Sequence, residues 1–402
     1  MKKMMQNIKK ESDITIDLNS YIAEKRNQIN DWLDNRVKTN SSVIYSSVDI
    51  RNSGFKSAAV DTNLFPAGFN NLSKASIELA SKYFREFIDK KSTSSKKIAV
   101  YVESFSRNIR YWESLNSLLM IISEANYEVK IITFNEELKK DMNDIDSTIK
   151  IHLAKKCGGN LLVEGDWMPD VVILNNDIME NAPDQLLNVN NIVLPNIKYG
   201  WYNRKKSNHF EHYNEIAEDF SKDFDIDPWL ISTFFTKSNK VNFKNEEGLD
   251  DLAHKIDSLL LKIRRKYDEY AISDTPTVFV KANSGTFGRG VISVNSGDQI
   301  LHLNKKRRAN LNNIRSGIIN SEVIIQEGIN TIEKFKQYPA ENITYSMNSK
   351  VIGKFIRYNT EKGISNNLNS KGMFFNESNE EVTETENLIS RIANIAASHE
   401  LL

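Results

Sequence analysis

A lysine followed by three closely spaced glycines is the part of the sequence whose chemistry is easiest to interpret. Lys281 ends a β-branched and aromatic run, and a second such run begins at Val291. Between them lie Gly285, Gly288 and Gly290. Both runs are typical of strands, so the glycines are predicted to join two antiparallel strands rather than to lead into a helix. Such a hairpin can fold over nucleotide phosphates, because its backbone N–H groups are accessible and the lysine supplies positive charge. An ordinary glycine hairpin with a solvated lysine is the alternative.

Three further polar features follow the predicted flap. The apolar strand 322–325 runs into Gln326 and Glu327, Arg357 ends the second of two later strands, and the loop 362–372 carries three asparagines. This order and spacing resembles that of ATP-grasp ligases. The resemblance implies that adenine and ribose are held near Gln326 and Glu327, and that the asparagine loop lies close to a metal.

A second lysine could also reach the phosphates in an ATP-grasp fold. Lys262 and Lys266 lie on a long predicted helix before the flap, where either could face the nucleotide or, as helical lysines more often do, face water. The residues expected to bind the nucleotide are Lys266, Lys281, Ser284, Gly285, Thr286, Gly288, Gly290, Gln326 and Glu327.

Composition limits the class of protein to which the chain can belong. Its 402 residues predict two or three domains, and its 53 basic and 53 acidic residues cancel. This balance argues against nucleic acid or an anionic membrane as the main partner. The single cysteine, Cys157, cannot form an internal disulfide and suits a reducing compartment. We find no apolar run long enough to span a bilayer, so a cytoplasmic protein is expected. The sequence does not predict an oligomeric state.

The elements that must position these groups begin with the segment 41–72. It is predicted to start as a strand and to continue as a long ordered loop, because it loses periodicity yet keeps many large apolar residues. Asp49, Arg51, Asp61 and Asn63 lie in this segment and are expected to converge on a small, charged ligand. A structural loop with internal ion pairs is the alternative.

The next part of the chain alternates between strands and helices. Strands are predicted at 98–102, 127–133 and 171–174, with helices at 110–124 and 144–155. This alternation predicts an open, mainly parallel sheet, in which ligands bind beyond the carboxyl ends of the strands.

Polar groups follow two of these strands. The segment 103–110 includes Arg107, and 175–177 reads Asn-Asn-Asp. Both could bind a ligand or simply form turns. Arg204 belongs to a basic cluster before another predicted helix, which is either an anion site or a solvated face.

Several longer segments resemble one family, the proteobacterial glutamate-cysteine ligases of the ATP-grasp-related type. They are SVDIRNSGFKSAAVDTNLFPAGFNNL (47–72), LNND (174–177), GWYNRKKSNHF (200–210), DPWLI (227–231), IRRKYDEYAI (263–272), VFVKANSGTFGRG (278–290) and NNLNSKGM (366–373). The resemblance extends from about residue 41 to 373, and the first segment is far more specific than the flap. Family members have Lys-Ala-Asp-Ala-Gly-Thr where this chain has KANSGT, with Asn283 in place of the acid. The usual ATP-grasp metal pattern, an acid followed by Glu-x-Asn, is also not cleanly present.

The resemblance implies an α/β (α+β) protein, with an ATP-grasp fold preceded by an open, mainly parallel α/β sheet domain. The expected organisation is an N-terminal helical segment (1–40), a substrate-binding α/β domain (41–200), and an ATP-grasp domain (201–402) with a flap subdomain at about 275–328. The implied activity joins L-glutamate to L-cysteine through a γ-glutamyl phosphate, which is the first step of glutathione synthesis. Another ATP-grasp carboxylate-amine ligase and a non-catalytic nucleotide-binding protein are the alternatives.

The implied reaction suggests roles for individual residues. Lys281 and Arg357 would neutralise charge on the transferring phosphoryl group. Mg²⁺ would bridge the ATP phosphates, with Glu327, Asn367 and Asn369 as candidate ligands.

The amino-acid substrates need partners of opposite charge. Their α-carboxylates are expected to bind Arg51, Arg107 and Arg204, and an α-ammonium Asp49 or Asp61, with Asn63 in the same segment. On this hypothesis, Arg51→Ala raises the KM for glutamate far more than the KM for ATP.

Overall fold

The computed structural model of the chain describes residues 14–37, 41, 43–103, 109–138, 149–285, 290–312 and 322–401. Within these residues the α-helices are α1 (Ile14–Glu24), α2 (Arg26–Asp34), α3 (Lys74–Lys91), α4 (Ile109–Glu124), α5 (Lys206–Phe224), α6 (Leu249–Glu269), α7 (Asp298–Leu301), α8 (Lys305–Asn312) and α9 (Glu384–His399). None of these helices is both long enough and apolar enough to cross a membrane.

The strands form three sheets. The strands are β1 (Tyr45–Asn52), β2 (Ser57–Asn63), β3 (Lys97–Val102), β4 (Glu128–Thr133), β5 (Ile151–Cys157), β6 (Asn160–Val163), β7 (Val171–Asn175), β8 (Ile192–Leu194), β9 (Phe235–Asn239), β10 (Val278–Ala282), β11 (Ile292–Val294), β12 (Glu322–Glu327), β13 (Lys334–Phe335), β14 (Tyr338–Met347), β15 (Lys350–Asn359) and β16 (Met373–Glu377).

The central sheet is antiparallel and joins distant parts of the chain. Its strand order is β16-β15-β14-β1-β2, with β13 beside β14. Tyr45 on β1 lies opposite Met347 on β14. The prediction of a long loop after β1 is wrong at Ser57–Asn63, because these residues form β2, which pairs with β1. Its strand period is hidden because Asp61 faces a cavity while both faces of the sheet are largely covered, so polar and apolar residues do not alternate.

The flap belongs to a four-stranded antiparallel sheet of order β11-β10-β12-β9. β10 and β11 pair as the predicted hairpin. Lys281 on β10 lies opposite Ile324 on β12, and Gln326 lies opposite Phe279. The flap lysine on β10 and the strand predicted to bind adenine, β12, are therefore neighbours in one sheet.

The third sheet has the order β6-β5-β4-β3-β7-β8 and is parallel except for the β5–β6 pair. It confirms the predicted open, mainly parallel sheet. The helix expected at 144–155 is wrong from residue 151 onward, because β5 occupies Ile151–Cys157 and pairs with β4. Apolar residues in so short a segment fit either a helical or a strand period, and pairing with β4 selects the strand.

Helix α9 packs against α5 and the central sheet and is buried over most of its length. Its N-terminus carries a capping box, in which the Thr383 side chain accepts from the backbone of Glu386 and the Glu386 side chain accepts from that of Thr383. The predicted α/β fold class is confirmed. The predicted domain boundaries remain a prediction, although β1 and β2 of the first α/β segment share a sheet with β14 of the last segment.

Candidate functional site

Two adjacent chambers lie where the three sheets meet. The first chamber lies between the flap sheet and the central sheet, because residues of both line it. The predicted site residues that line it are Asp49, Arg51, Asp61, Lys281, Ser284, Gly285, Gly290, Gln326, Glu327, Arg357, Asn367 and Asn369. The fold thus brings together residues from four separate parts of the sequence.

The second chamber lies at the carboxyl ends of β3 and β7. Its wall includes Glu103 after β3 and Asn175, Asn176 and Asp177 at the end of β7, as the rule for open parallel sheets predicts. Asn63 also lines it. Four residues line both chambers: Asp49, Asp61, Arg357 and Asn369. We call these four the shared wall.

A buried network of two acids and two arginines supports the shared wall. Glu341 Oε1 accepts from Arg357 Nε at 2.8 Å, and Glu341 Oε2 accepts from Arg51 Nε at 2.6 Å. Arg357 also donates to Asp49. Burial would raise the pKa of Glu341, but the two arginines lower it below its ordinary value. Burial, together with Glu341 and Asp61, raises the pKa of Asp49 in spite of Arg357. Asp49 therefore lies in a setting that favours an additional cation.

Arg51 is held by three groups. Besides Glu341, it donates from Nη1 to the Ile329 carbonyl at 3.2 Å and from Nη2 to the Asn366 carbonyl at 2.7 Å. It lines the first chamber and is absent from the wall of the second. These contacts anchor the asparagine loop to the central sheet. Its predicted contact with a substrate carboxylate stays a prediction.

Two lysines converge on Asp61. Lys206 Nζ lies 2.5 Å from Asp61 Oδ1, and Lys281 Nζ donates to the Val60 carbonyl at 2.9 Å. Burial lowers the pKa of Lys281 to about 8, although Asp61 acts to raise it. Burial would raise the pKa of Asp61, but Lys206 and Lys281 outweigh it and the pKa is about 2. The first chamber thus has a positively charged corner.

Lys206 is a site residue that the sequence analysis missed. It lines the first chamber at the start of α5, two residues after Arg204. Arg204 instead forms a bidentate ion pair with Glu400, at 2.7 and 2.8 Å, and donates to the Thr62 carbonyl at 2.7 Å. It lines neither of the two chambers. Of the two basic residues, Lys206 lines the first chamber and the predicted residue Arg204 does not.

Lys266 also lies outside the walls of the two chambers. Its ammonium pairs with Asp227 at 2.6 Å and with Glu269 at 2.8 Å. On β12, Gln326 Nε2 donates to Thr233 Oγ1 at 2.8 Å. These contacts fix the predicted residues in place before any ligand arrives.

Glu327 at the end of β12 is fully engaged. Its carboxylate accepts from Lys56 Nζ at 3.1 Å, from Trp229 Nε1 at 3.0 Å and from the Phe234 backbone at 3.0 Å. Lys56 lies over the Trp229 ring at 4.2 Å, and its burial lowers its pKa to about 8. A metal ion or nucleotide that binds the Glu327 carboxylate would therefore have to displace an existing donor.

Asn283 joins the flap strand to the N-terminus of α5. Its Oδ1 accepts from the Ser207 backbone at 2.9 Å, and its Nδ2 donates to Ser207 Oγ at 3.0 Å. Its carbonyl accepts from the Lys206 backbone at 2.7 Å. At this position the chain uses an amide as a structural connection.

Comparison with known proteins shows the family to which the chain belongs. Residues 19–401 match the family model described as glutamate-cysteine ligase. The chain belongs to the glutamate-cysteine ligase family. It is therefore an ATP-dependent ligase, as the sequence predicted. In a search of curated proteins, nothing matched the chain.

One solved structure agrees with membership of the glutamate-cysteine ligase family. A candidate gamma-glutamylcysteine synthetase from Methylobacillus flagellatus KT shares 30% identity with the chain, with a TM-score of 0.87 over 97% of each chain. A glutathione synthetase-like effector from Globodera pallida shares 9% identity, with a TM-score of 0.37 over 86% of this chain and 79% of that chain. D-alanyl-alanine synthetase A from Vibrio cholerae shares 12% identity, with a TM-score of 0.29 over 77% and 81%. The last two likenesses are too weak to support any detail.

ATP-dependent ligases of this kind commonly use a divalent metal, which needs oxygen donors in the chamber. Among the described residues, no group of three or more His, Cys, Asp or Glu side chains could hold a metal ion. Mg²⁺ at a phosphate site needs only one or two protein oxygens, because phosphates and water supply the rest. Asp49 and Asn369, which both belong to the shared wall, meet that smaller requirement with a carboxylate and an amide oxygen. The oxygen atoms present therefore fit a metal ion that is coordinated mainly by the ATP phosphates.

Three of the predicted ligand-binding residues in this glutamate-cysteine ligase, Arg107, Thr286 and Gly288, lie outside the described residues. Asn367 lies in the first chamber, where its Oδ1 accepts from the Asn369 backbone at 3.0 Å. The asparagine loop is held by Asn359, which donates to the Leu368 carbonyl at 3.0 Å.

Proposed function

We propose that the protein phosphorylates the γ-carboxylate of L-glutamate with ATP and then couples it to the amine of L-cysteine. The observation that carries this proposal is the shared wall, Asp49, Asp61, Arg357 and Asn369, which borders both chambers. A carboxylate in the second chamber and a phosphate in the first would meet there. Membership of the glutamate-cysteine ligase family supplies the substrate class.

The first chamber suits a nucleotide. Phe279 on β10 and Gln326 on β12 line one part of it. The Lys281 ammonium together with Lys206 gives positive charge for phosphates. The flap residues Ser284, Gly285 and Gly290 lie on the same wall and can approach phosphate oxygens closely. We therefore assign ATP to this chamber.

The reaction proceeds in two steps. A γ-carboxylate oxygen of glutamate attacks the γ-phosphorus of ATP, the bond to the β-phosphate oxygen breaks, and ADP leaves. The cysteine amine then attacks the acyl carbon, and inorganic phosphate leaves with the bonding electrons while the amine loses a proton. Arg357, a fixed cation on the shared wall, would stabilise the charge that develops on the transferring group. Mg²⁺, when bound, would withdraw charge from the phosphates, and Asp49, Asn367 and Asn369 would hold it.

The second chamber suits the amino acids. Asp61 and Asn63 on β2 offer oxygen atoms to an α-ammonium, and Tyr345 and Phe355 give the chamber an aromatic side. Shielding from water would matter during the reaction, because water would hydrolyse the acyl phosphate before the amine attacks.

The experiment combines purified protein with Mg-ATP and L-glutamate, with and without L-cysteine. Phosphate release is measured, and γ-glutamylcysteine is identified by mass spectrometry. We expect phosphate and dipeptide in equal amounts with both amino acids, and little of either with L-aspartate in place of L-glutamate. Lys281→Met should abolish both products. Phosphate release that depends on a different amine, or ATP binding without any turnover, would overturn the proposal.

A further inference from the structure

Trp201 is a buried side chain in the second chamber whose indole N–H has no hydrogen-bond partner among the described residues. It is 3% exposed and lines the chamber. Within the part of the chain that the structure describes, its indole Nε1 makes no hydrogen bond. Buried donors are nearly always paired, because leaving one unpaired costs free energy. Such a donor on a chamber wall is available to a ligand or a water molecule in the chamber.

The local structure holds Trp201 in this position. Its backbone N–H donates to the Asp177 carbonyl at 3.0 Å, and the next residue, Tyr202, donates to the Ile178 carbonyl at 3.0 Å. A Cβ added at Gly200 would lie 2.8 Å from Ile178 Cβ, so glycine is needed for this close approach. The indole is therefore fixed to the loop at the end of β7.

Two cations pack against the Trp201 ring, and each also pairs with a carboxylate, Lys206 with Asp61 and Arg204 with Glu400. The Lys206 ammonium and the Arg204 guanidinium lie 4.6 and 5.0 Å from its ring centroid. Cations against the ring polarise the indole and make its N–H a better donor. Carboxylates are the anionic groups that both amino-acid substrates carry.

Other donors at the end of β7 are already in use. Asn175 Nδ2 donates to the Pro66 carbonyl at 3.3 Å, and Asn176 Nδ2 donates to the Val102 carbonyl at 3.0 Å. Glu103 and Asp177, on the same wall, are acidic. Arg110 supplies a guanidinium to the same chamber, and the Trp201 N–H is a buried side-chain donor on its wall that makes no hydrogen bond among the described residues.

We propose that Trp201 binds substrate, and that its indole N–H donates a hydrogen bond to a carboxylate of an amino-acid substrate in the second chamber. This inference rests on the proposed function for its substrate class. L-Glutamate and L-cysteine share the required chemistry, and the test separates them.

The kinetic test compares Trp201→Phe with the wild type. A hydrogen bond to a charged group contributes enough that its loss should raise one amino-acid KM roughly 10- to 100-fold. The KM for ATP should stay nearly unchanged, which a general structural defect would not produce. The amino acid whose KM rises is the one that Trp201 binds. Trp167→Phe is the matched control, because the Trp167 indole already donates to Glu128 at 2.7 Å. Unchanged KM values for both amino acids in a folded Trp201→Phe protein would overturn the inference.

A binding test does not depend on turnover and uses the wild-type protein. Indole N–H resonances of ¹⁵N-tryptophan-labelled protein are recorded while L-glutamate or L-cysteine is added. The indoles of Trp32, Trp167 and Trp229 already donate to carboxylates, so we expect the largest downfield movement at Trp201. The resonance is assigned from its loss in Trp201→Phe or, if that variant does not fold, by elimination with the other single variants.

The binding test also separates the two hypotheses. No movement of the Trp201 resonance with either amino acid would overturn the role of Trp201. An absence of γ-glutamylcysteine from the wild type, with the Trp201 resonance still responding to an amino acid, would overturn the proposed reaction and leave the carboxylate contact standing.

Discussion

Glu341 and Arg357 lie opposite each other on β14 and β15, joined by a hydrogen bond of 2.8 Å from Arg357 Nε. The other oxygen of Glu341 accepts from Arg51 at 2.6 Å. One carboxylate therefore positions two guanidinium groups with different tasks. Arg357 belongs to the shared wall, and Arg51 holds the asparagine loop.

Glu341→Gln should impair both tasks. The substitution removes the negative charge that compensates two buried cations, so we expect the free energy of unfolding to fall by about 3–5 kcal/mol. Activity should fall as well, because Arg357 loses its fixed position. Urea unfolding followed by circular dichroism measures the first effect, and phosphate release measures the second. Glu361→Gln is the control, since Glu361 pairs with Lys371 at 3.8 Å on the surface and should change stability by less than about 1 kcal/mol. An equal change in the two variants would contradict the prediction.

Lys281 should give the enzyme an alkaline limit. Burial lowers its pKa to about 8, and the side chain assists phosphate binding only when protonated, below that pH. The kcat/KM for ATP should therefore decrease above about pH 8. Bound phosphates stabilise the ammonium, so the corresponding decrease in kcat should occur at higher pH. In Lys281→Arg the decrease in kcat/KM above about pH 8 should disappear, because arginine stays charged. An unchanged decrease in this variant would show that another group titrates.

Asn283 should act as a structural connection rather than as a metal site. Asn283→Asp keeps an acceptor for the Ser207 N–H at a helix N-terminus, but it brings a negative charge near Glu322, which lies 3.5 Å from Asn283 Nδ2. We expect these effects nearly to cancel, within about 1 kcal/mol of stability. Asn283→Leu loses both bonds to Ser207 and should cost about 1–3 kcal/mol. It should also raise the KM for ATP, since the flap strand and Lys206 would separate. Thermal unfolding and ATP kinetics measure both effects, and a large activity gain in Asn283→Asp would instead indicate a metal role.

Glu400 should contribute stability that acid removes. Arg204 and His209 both contact its carboxylate, and although burial would raise the pKa of Glu400, they hold it at about 2, below the ordinary 4.5. The contribution is present above the ordinary pKa and is lost as pH falls from about 4.5 toward 2. Glu400→Gln should therefore lower the unfolding free energy at pH 7 by about 3 kcal/mol, with a difference that shrinks in acid. Denaturant unfolding between pH 3 and 7 checks this, and a difference that does not vary with pH would contradict it.

The sequence predicted those features of the site that rest on local pattern. Lys281 lies on β10, which pairs with β11, and both strands are readable from their own composition. The long block at 47–72 indicated the family. Residues that depend on tertiary contacts were missed. Glu341 sits in a strand with no motif around it, and its importance comes from Arg51, 290 positions earlier. Lys206 was passed over for Arg204, because which of two nearby cations faces the chamber depends on where α5 begins. β2 was missed because its polar residues face a cavity, which hides the strand period.

The pairing of β1 with β14 has a consequence for how the protein is made. The two strands that start the central sheet are synthesised long before their partner, since Arg51 and Glu341 are 290 residues apart. At about 5–20 residues per second, a ribosome would take about 15–60 s to reach β14. Throughout that interval β1 has an open edge on the β14 side, and unpaired edges are sites of aggregation. Contacts so distant in sequence also slow folding. The nascent chain should therefore depend on chaperones that cover this edge until the last quarter of the protein emerges.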